Sequence, residues 1–142
     1  MIQVKHLLED KGGRVFAIGP DEPVLAAIRM MAEHTIGALL VLDGDRLAGI
    51  VSERDYARKV ILKGRSSADT PVRDIMSSPV FTVGPDDTID SCMRVCTDRR
   101  VRHLPVLDGG KVTGVLSIGD LVKAVIDAQT REIEQLQRYI AG

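Results

Sequence analysis

The chain is built twice from one pattern, and this duplication restricts its possible folds more than any other feature of the sequence. Moved over itself by 65 positions, residues 15–61 align with 80–126 without a gap. Val15-Phe16 falls on Val80-Phe81, Gly19-Pro20-Asp21 on Gly84-Pro85-Asp86, and Val41-Leu42-Asp43-Gly44 on Val106-Leu107-Asp108-Gly109. Gly49 meets Gly114, Ser52 meets Ser117, Asp55 meets Asp120, and Val60-Ile61 meets Val125-Ile126. The lead-ins correspond as well, Val4-Lys5-His6-Leu7-Leu8 matching Val72-Arg73-Asp74-Ile75-Met76. The first lead-in lies three residues farther from its repeat, with Gly12-Gly13 in the gap.

Each repeat parses as β-α-β-β-α. Phe16-Ala17-Ile18 and Phe81-Thr82-Val83 read as short strands stopped by Gly-Pro. A helix follows each, with Asp21 or Asp86 near its start and Pro23 placed where a first turn tolerates it. Val24, Ala27, Ile28 and Met31 share one helical stripe, as do Ile89, Cys92, Met93 and Cys96. Leu39–Leu42 and Leu104–Leu107 are apolar runs of buried-strand length, and Asp43-Gly44 and Asp108-Gly109 turn each into a second strand. Helices starting at Ser52 and Ser117 close the repeats. The expected organisation is therefore a first repeat with its lead-in over 1–62, a linker over 63–71, and a second repeat over 72–142. Neither repeat alone supplies much core, so the two are expected to pack together. The last helix could run from Asp120 to Ile140, with Ile126, Ile133, Leu136 and Ile140 in a stripe that outlasts its own repeat. Helix pairing across a homodimer would cover it; folding back over its own repeat is the alternative.

Composition removes several function classes. A net charge of -1 gives no global field for nucleic acid or acidic lipid, and 3% aromatic residues with no Trp leave little to stack on bases. No segment approaches a membrane span, the start Met1–His6 lacks the apolar run of a secretion signal, and two cysteines do not make a disulfide framework. A reducing cytoplasm is expected. His6, His34 and His103 are scattered without metal-site spacing, and Cys92 and Cys96 fall on the apolar face of a helix. No nucleophile motif, P-loop or dinucleotide glycine fingerprint is present, so no catalytic residues are assigned.

The segments Gly49-Ile50-Val51-Ser52-Glu53-Arg54-Asp55 and Gly114-Val115-Leu116-Ser117-Ile118-Gly119-Asp120 resemble the G-h-x-[ST]-x-x-D signature of CBS domains. Arg102-His103-Leu104-Pro105-Val106 resembles that family's strand entry. The likeness covers nearly the whole chain, and it implies an α/β fold of two repeats packed as a pseudo-twofold pair. Ser-x-x-Asp is also a capping box, and capping does not exclude ligand binding. A helix N-terminus offers unpaired N–H groups, a carboxylate one turn in can accept from both ribose hydroxyls, and Gly49 and Gly114 would let a base approach closely.

The resemblance implies Ser52, Asp55, Ser117 and Asp120 as ligand residues, the aspartates holding ribose. It implies Ile75, Met76, Val80 and Ile18 as neighbours of an adenine, with Ser78 touching the base, and Arg102 and His103 as phosphate contacts. The repeats differ there, because Gly37-Ala38 stands where the second repeat has Arg102-His103, and Arg54 stands where it has Gly119. Arg54 is expected near a phosphate and Gly119 to leave room for a bulkier ligand. Pro105, usual in the family, removes a ladder donor where the first repeat has Leu40, so its strand should be an edge or irregular there. The function implied is a regulatory module that binds AMP, ADP, ATP or NAD in clefts between the repeats and relays occupancy to a partner protein. A small nucleotide-using enzyme or redox protein, and a scaffold with vestigial clefts, are the alternatives.

Overall fold

The structure is a computed structural model and describes residues 2–11 and 14–142, so the Gly12-Gly13 break lies outside the described residues. The elements in order are α1 (Val4–Lys11), β1 (Ala17–Ile18), α2 (Val24–His34), β2 (Ala38–Asp43), β3 (Arg46–Ser52) and α3 (Glu53–Tyr56), which continues as a π-helical turn over Ala57–Ile61. After a 3-10 turn at Val72–Asp74 come α4 (Ile89–Arg99), β4 (His103–Asp108), β5 (Lys111–Ser117) and α5 (Ile118–Ala141). This is the mixed α/β arrangement expected, and the α-β-β-α order recurs, preceded by a strand in the first repeat only.

The compact units do not follow the sequence repeats. One unit is Arg14–Phe81, and the other joins Met1–Gly13 to Thr82–Gly142. Each repeat thus packs with the other repeat's lead-in. In the first unit Val72 and Ile75 are fully buried with Val24, Ala27, Met31, Val41, Val51 and Val60. In the second, Val4 is fully buried with Ile89, Cys92, Leu104, Val106, Leu116 and Leu121. Burying one such aliphatic side chain contributes about 1.5–3 kcal/mol, so the lead-ins are part of the core. The stretch expected as a linker is also tied down within its unit. Thr70 is buried, its carbonyl accepts from Val24 N–H at 2.8 Å, and Ser67 shares a 3.0 Å hydrogen bond with the Tyr56 hydroxyl.

In the first unit β1 runs parallel to β2, and β2 is antiparallel to β3. In the second, β4 and β5 form the same hairpin, with the same break in register one residue before the end of the apolar run. Gly109 and Gly110, at φ 59° and 81°, make the turn between them. The expected strand over Phe81-Thr82-Val83 is reduced to a single parallel bridge from Val83 to Val106. Pro105 explains this: Leu40 donates its N–H to the Phe16 carbonyl at 3.1 Å, and Pro105, at the matching position, has no N–H to give.

Of the helical stripes, Val24, Ala27 and Met31 in α2 and Ile89, Cys92 and Cys96 in α4 are buried, and Ile28 and Met93 are half-buried. Pro23 is the N-cap of α2 rather than a residue of its first turn. Both helices end on a non-glycine residue in the left-handed region, Thr35 at φ 53° and Arg100 at φ 54°, so the duplication extends to backbone detail. The lead-ins differ. Val4–Lys11 forms two turns of helix, whereas Val72–Asp74 stops after one 3-10 turn and runs into Ser77-Ser78-Pro79, whose Ser78–Pro79 bond is cis. The residue before a proline is pushed out of helical geometry. The helix after β5 reaches Ala141, and from Gln129 onward every described residue is exposed.

Candidate functional site

The two Ser-x-x-Asp segments form the expected capping boxes. β3 ends at Ser52 in an extended conformation, its hydroxyl accepts from Asp55 N–H at 3.2 Å, and Asp55 Oδ2 accepts from Ser52 N–H at 3.0 Å. Ser117 and Asp120 repeat this at 3.1 and 2.8 Å. Each box satisfies N–H groups that the first helical turn leaves without intrahelical partners.

The strand ladder brings the non-equivalent positions to the same place. Ala38 pairs with Ser52, and His103 with Ser117. The first helical N–H of each box is held by the residue before the strand, Glu53 N–H by the Gly37 carbonyl at 3.1 Å and Ile118 N–H by the Arg102 carbonyl at 2.9 Å. Arg102, His103, Ser117, Gly119 and Asp120 therefore converge in one unit. Pro105 lies two residues farther along the strand, buried opposite Val115. Gly119 is not demanded by sterics: a Cβ there would sit 3.5 Å from Ser117 Oγ, an ordinary contact. Arg54, its counterpart, is exposed.

At the first box Asp55 is linked to the lead-in that the unit takes in. Lys59 Nζ lies 3.2 Å from Asp55 Oδ1 and donates to the Ile75 carbonyl at 2.9 Å. Ser77 and Ile50 exchange backbone hydrogen bonds at 2.8 and 3.1 Å, which lays Met76 over Gly49. Ser52, Arg54, Asp55, Ile75 and Met76 are thereby gathered around one strand-to-helix junction. Ile75 is fully buried, so its side chain belongs to the core and its carbonyl to the junction. Ile18 is buried in the same cluster, while Ser78 is exposed and Val80 half-buried on the segment leading away from Ser77.

The glycines make room for the lead-ins. A Cβ at Gly49 would lie 2.7 Å from Met76 Sδ and 2.9 Å from the Ser77 carbonyl oxygen; one at Gly114 would lie 2.6 Å from Leu8 Cδ2. Both positions are filled by the lead-ins, and Leu8 plays in one unit the part Met76 plays in the other. Sequence reasoning assigned no role at the site to Lys59, Ser77 or Leu8. The alignment of Leu7-Leu8 with Ile75-Met76 was the signal available for Leu8, and Lys59 carried none beyond its i,i+4 spacing from Asp55.

The cysteines are built for packing. Both are free and buried. Burial, then the nearby Asp87 carboxylate, pushes the Cys92 thiol up to about 11, and burial raises Cys96. A thiol held protonated is a poor nucleophile. His34, the last residue of α2, stacks on Phe16 with ring centroids 4.2 Å apart. Among the described residues no cluster of three or more metal-ligating side chains occurs, and no helix is long and apolar enough to cross a membrane.

Comparison with known proteins agrees with this geometry. The CBS domain family matches the chain twice, over residues 11–62 and 72–127. The mitochondrial CBS domain-containing protein CBSX3 of Arabidopsis thaliana is 42% identical over 127 residues, which span 86% of this chain and 62% of that protein. A solved CBS-domain protein from Burkholderia ambifaria MC40-6 is 52% identical, with a TM-score of 0.86 over 90% of this chain and 96% of that one. A CBS domain pair solved in complex with 5′-methylthioadenosine and S-adenosyl-L-methionine shares the fold, with a TM-score of 0.80 at 20% identity over 90% of this chain and 98% of that one. With two capped repeats in register and two matches to one family, the chain belongs to the CBS domain family as a CBS pair.

Proposed function

We propose that this CBS pair is a regulatory module that binds an adenosyl ligand, AMP, ADP, ATP or NAD, at its two Ser–Asp boxes. Occupancy then passes to a partner protein through a conformational change, with no reaction catalysed. The observation that carries this reading is the repeated placement of a carboxylate, Asp55 and Asp120, at a strand-to-helix junction with a serine one turn before it. Such a carboxylate can accept from a ribose diol, and the start of α5 presents the positive end of a helix dipole to a phosphate. The ligands of the structural relative, 5′-methylthioadenosine and S-adenosyl-L-methionine, are adenosine derivatives too. Arg54 at the first box, and Arg102 and His103 at the second, are the side chains that would meet phosphate. Ile18, Ile75, Met76, Ser78 and Val80 form the apolar and backbone surroundings of a base at the first.

The protonated, buried thiols argue against a redox or nucleophilic use of Cys92 and Cys96. They suit a reducing compartment, the cytoplasm in this reading. The exposed stripe of α5 suits a homodimer.

Calorimetric titration with AMP, ADP, ATP and NAD, together with a product assay, tests the proposal. Saturable binding without turnover, weakened at least tenfold in Asp55→Asn or Asp120→Asn by loss of a charge-assisted hydrogen bond, is expected. Turnover, or a double Asp→Asn variant that binds as the parent does, overturns it.

A further inference from the structure

We infer that Lys59 sets the ligand preference of the first box, holding Asp55 closed to uncharged nucleosides and releasing it to phosphorylated ones. The inference rests on the functional reading above. The Asp55 side chain is only 13% exposed, and both of its oxygens are engaged, Oδ2 by Ser52 N–H and Oγ at 3.0 Å each and Oδ1 by Lys59 Nζ at 3.2 Å. The ammonium also donates to the Ile75 carbonyl at 2.9 Å, so it bridges the carboxylate that would hold ribose and the segment that would flank the base.

A ribose diol that binds Asp55 must take Oδ1 from Lys59 or share it. The Lys59 side chain is 44% exposed, so losing its carboxylate carries a modest cost, which another anion in its place removes. A nucleoside brings none; a nucleotide brings its phosphate to a cation already beside the ribose, and exposed Arg54 adds a second. The second box is built differently, because the position matching Lys59 is Ala124, buried in α5, and the position matching Arg54 is Gly119. Lys59 therefore gives the first box a cation on its ribose carboxylate at a position where the second box has an alanine.

The helix around Lys59 is unusual as well. The π-helical turn over Ala57–Ile61, which includes Lys59, has no counterpart in α5. Single π turns inside helices are frequent at functional positions.

The test uses the full chain in an Asp120→Asn background, so that the first box alone reports, and compares adenosine with AMP by calorimetry. Lys59→Met keeps most of the aliphatic stem and removes the charge; Lys59→Arg restores a cation. Loss of the ammonium is expected to tighten adenosine severalfold and weaken AMP roughly tenfold, with Lys59→Arg returning the AMP preference toward that of the parent. An AMP-to-adenosine ratio unchanged by Lys59→Met, or a ratio that Lys59→Arg fails to restore, overturns the inference. If the Asp120→Asn protein binds neither ligand while the parent protein binds AMP, the first box is not a site. The inference then falls and the functional reading stands on the second box. A parent protein that binds no nucleotide removes both.

Discussion

The packing of each lead-in over a glycine makes a quantitative prediction. In Gly49→Ala the new methyl would meet Met76 Sδ at 2.7 Å, Met76 Cγ at 3.0 Å and the Ser77 carbonyl oxygen at 2.9 Å. Met76 can swing away, but Ser77 is pinned by its two hydrogen bonds to Ile50, so relief requires the lead-in backbone to lift. Overpacking of this kind costs about 1–3 kcal/mol, and weakening the paired backbone bonds adds about 1 kcal/mol, against a gain of about 0.5–1 kcal/mol from removing a flexible glycine. The net expectation is a loss of about 1–3.5 kcal/mol. In Gly114→Ala the obstacle is Leu8 alone, Cδ2 at 2.6 Å and Cδ1 at 3.3 Å, with no backbone atom among the nearest three. A leucine forced off its rotamer costs about 0.5–1.5 kcal/mol, so the expected loss is about 1 kcal/mol or less.

Double-mutant cycles separate the two cases. Leu8→Ala should rescue Gly114→Ala, giving a favourable coupling of about 1 kcal/mol, because it removes the whole obstacle. Met76→Ala should rescue Gly49→Ala only in part, because the Ser77 carbonyl stays. Urea denaturation at one fixed protein concentration, followed by circular dichroism because the chain has no Trp, reads these differences. Full rescue of Gly49→Ala by Met76→Ala, or strict additivity of Leu8→Ala and Gly114→Ala, would refute the packing argument.

The Cys92 thiol gives a pH prediction. Its folded value of about 11 lies above the ordinary 9.0, so the unfolded chain loses this proton first as pH rises. Stability from this group is therefore full below pH 9 and declines between pH 9 and 11, by up to about 1.4 kcal/mol per pH unit; the decline should be shallower in Cys92→Ala when urea midpoints are compared across that range. Ending the chain after Ala128 should abolish self-association while leaving the buried part of α5 intact, since Ile133, Leu136 and Ile140 are 55%, 61% and 83% exposed and each such side chain contributes about 1.5–3 kcal/mol when fully buried. Sedimentation equilibrium of the two chains checks this, and equal masses would remove the homodimer from the functional reading.

What could be read from the sequence was local. The Asp-Gly turns, the apolar runs and the Ser52–Asp55 and Ser117–Asp120 boxes each depend on a few neighbouring residues, and each took the form its residues dictated. The exchange of lead-ins could not be read. Val4–Leu8 and Val72–Met76 carry nearly the same pattern, so either satisfies either core, and only the course of the chain decides between them. The glycines were half legible: Gly49 and Gly114 announced a close approach, but a missing Cβ does not say what approaches. Lys59 was hidden for a third reason, since a lysine in a polar helical stretch looks like a solvated one until the Ile75 carbonyl is placed beside it. Pro105 stood between these cases: loss of a ladder donor was plain, but its effect, the reduction of the Phe81–Val83 strand to one bridge, required knowing that Leu40 spends its N–H on Phe16.

These details together supply a physical route from occupancy to conformational change under the proposed function. At the first box the space beside Gly49 is filled by Met76, and the carboxylate that would take ribose is held by Lys59, whose other bond is to Ile75. A ligand that claims Asp55 loosens Lys59 from it, and a base that settles near Gly49 displaces Met76. Both events act on residues 75–77, the stretch through which the chain passes into its second repeat. A ligand shifts a conformational equilibrium only by its difference in affinity for the two states. Under that reading the difference would have a named source, because the ligand would compete with Met76 for the space beside Gly49 and with Lys59 for Asp55.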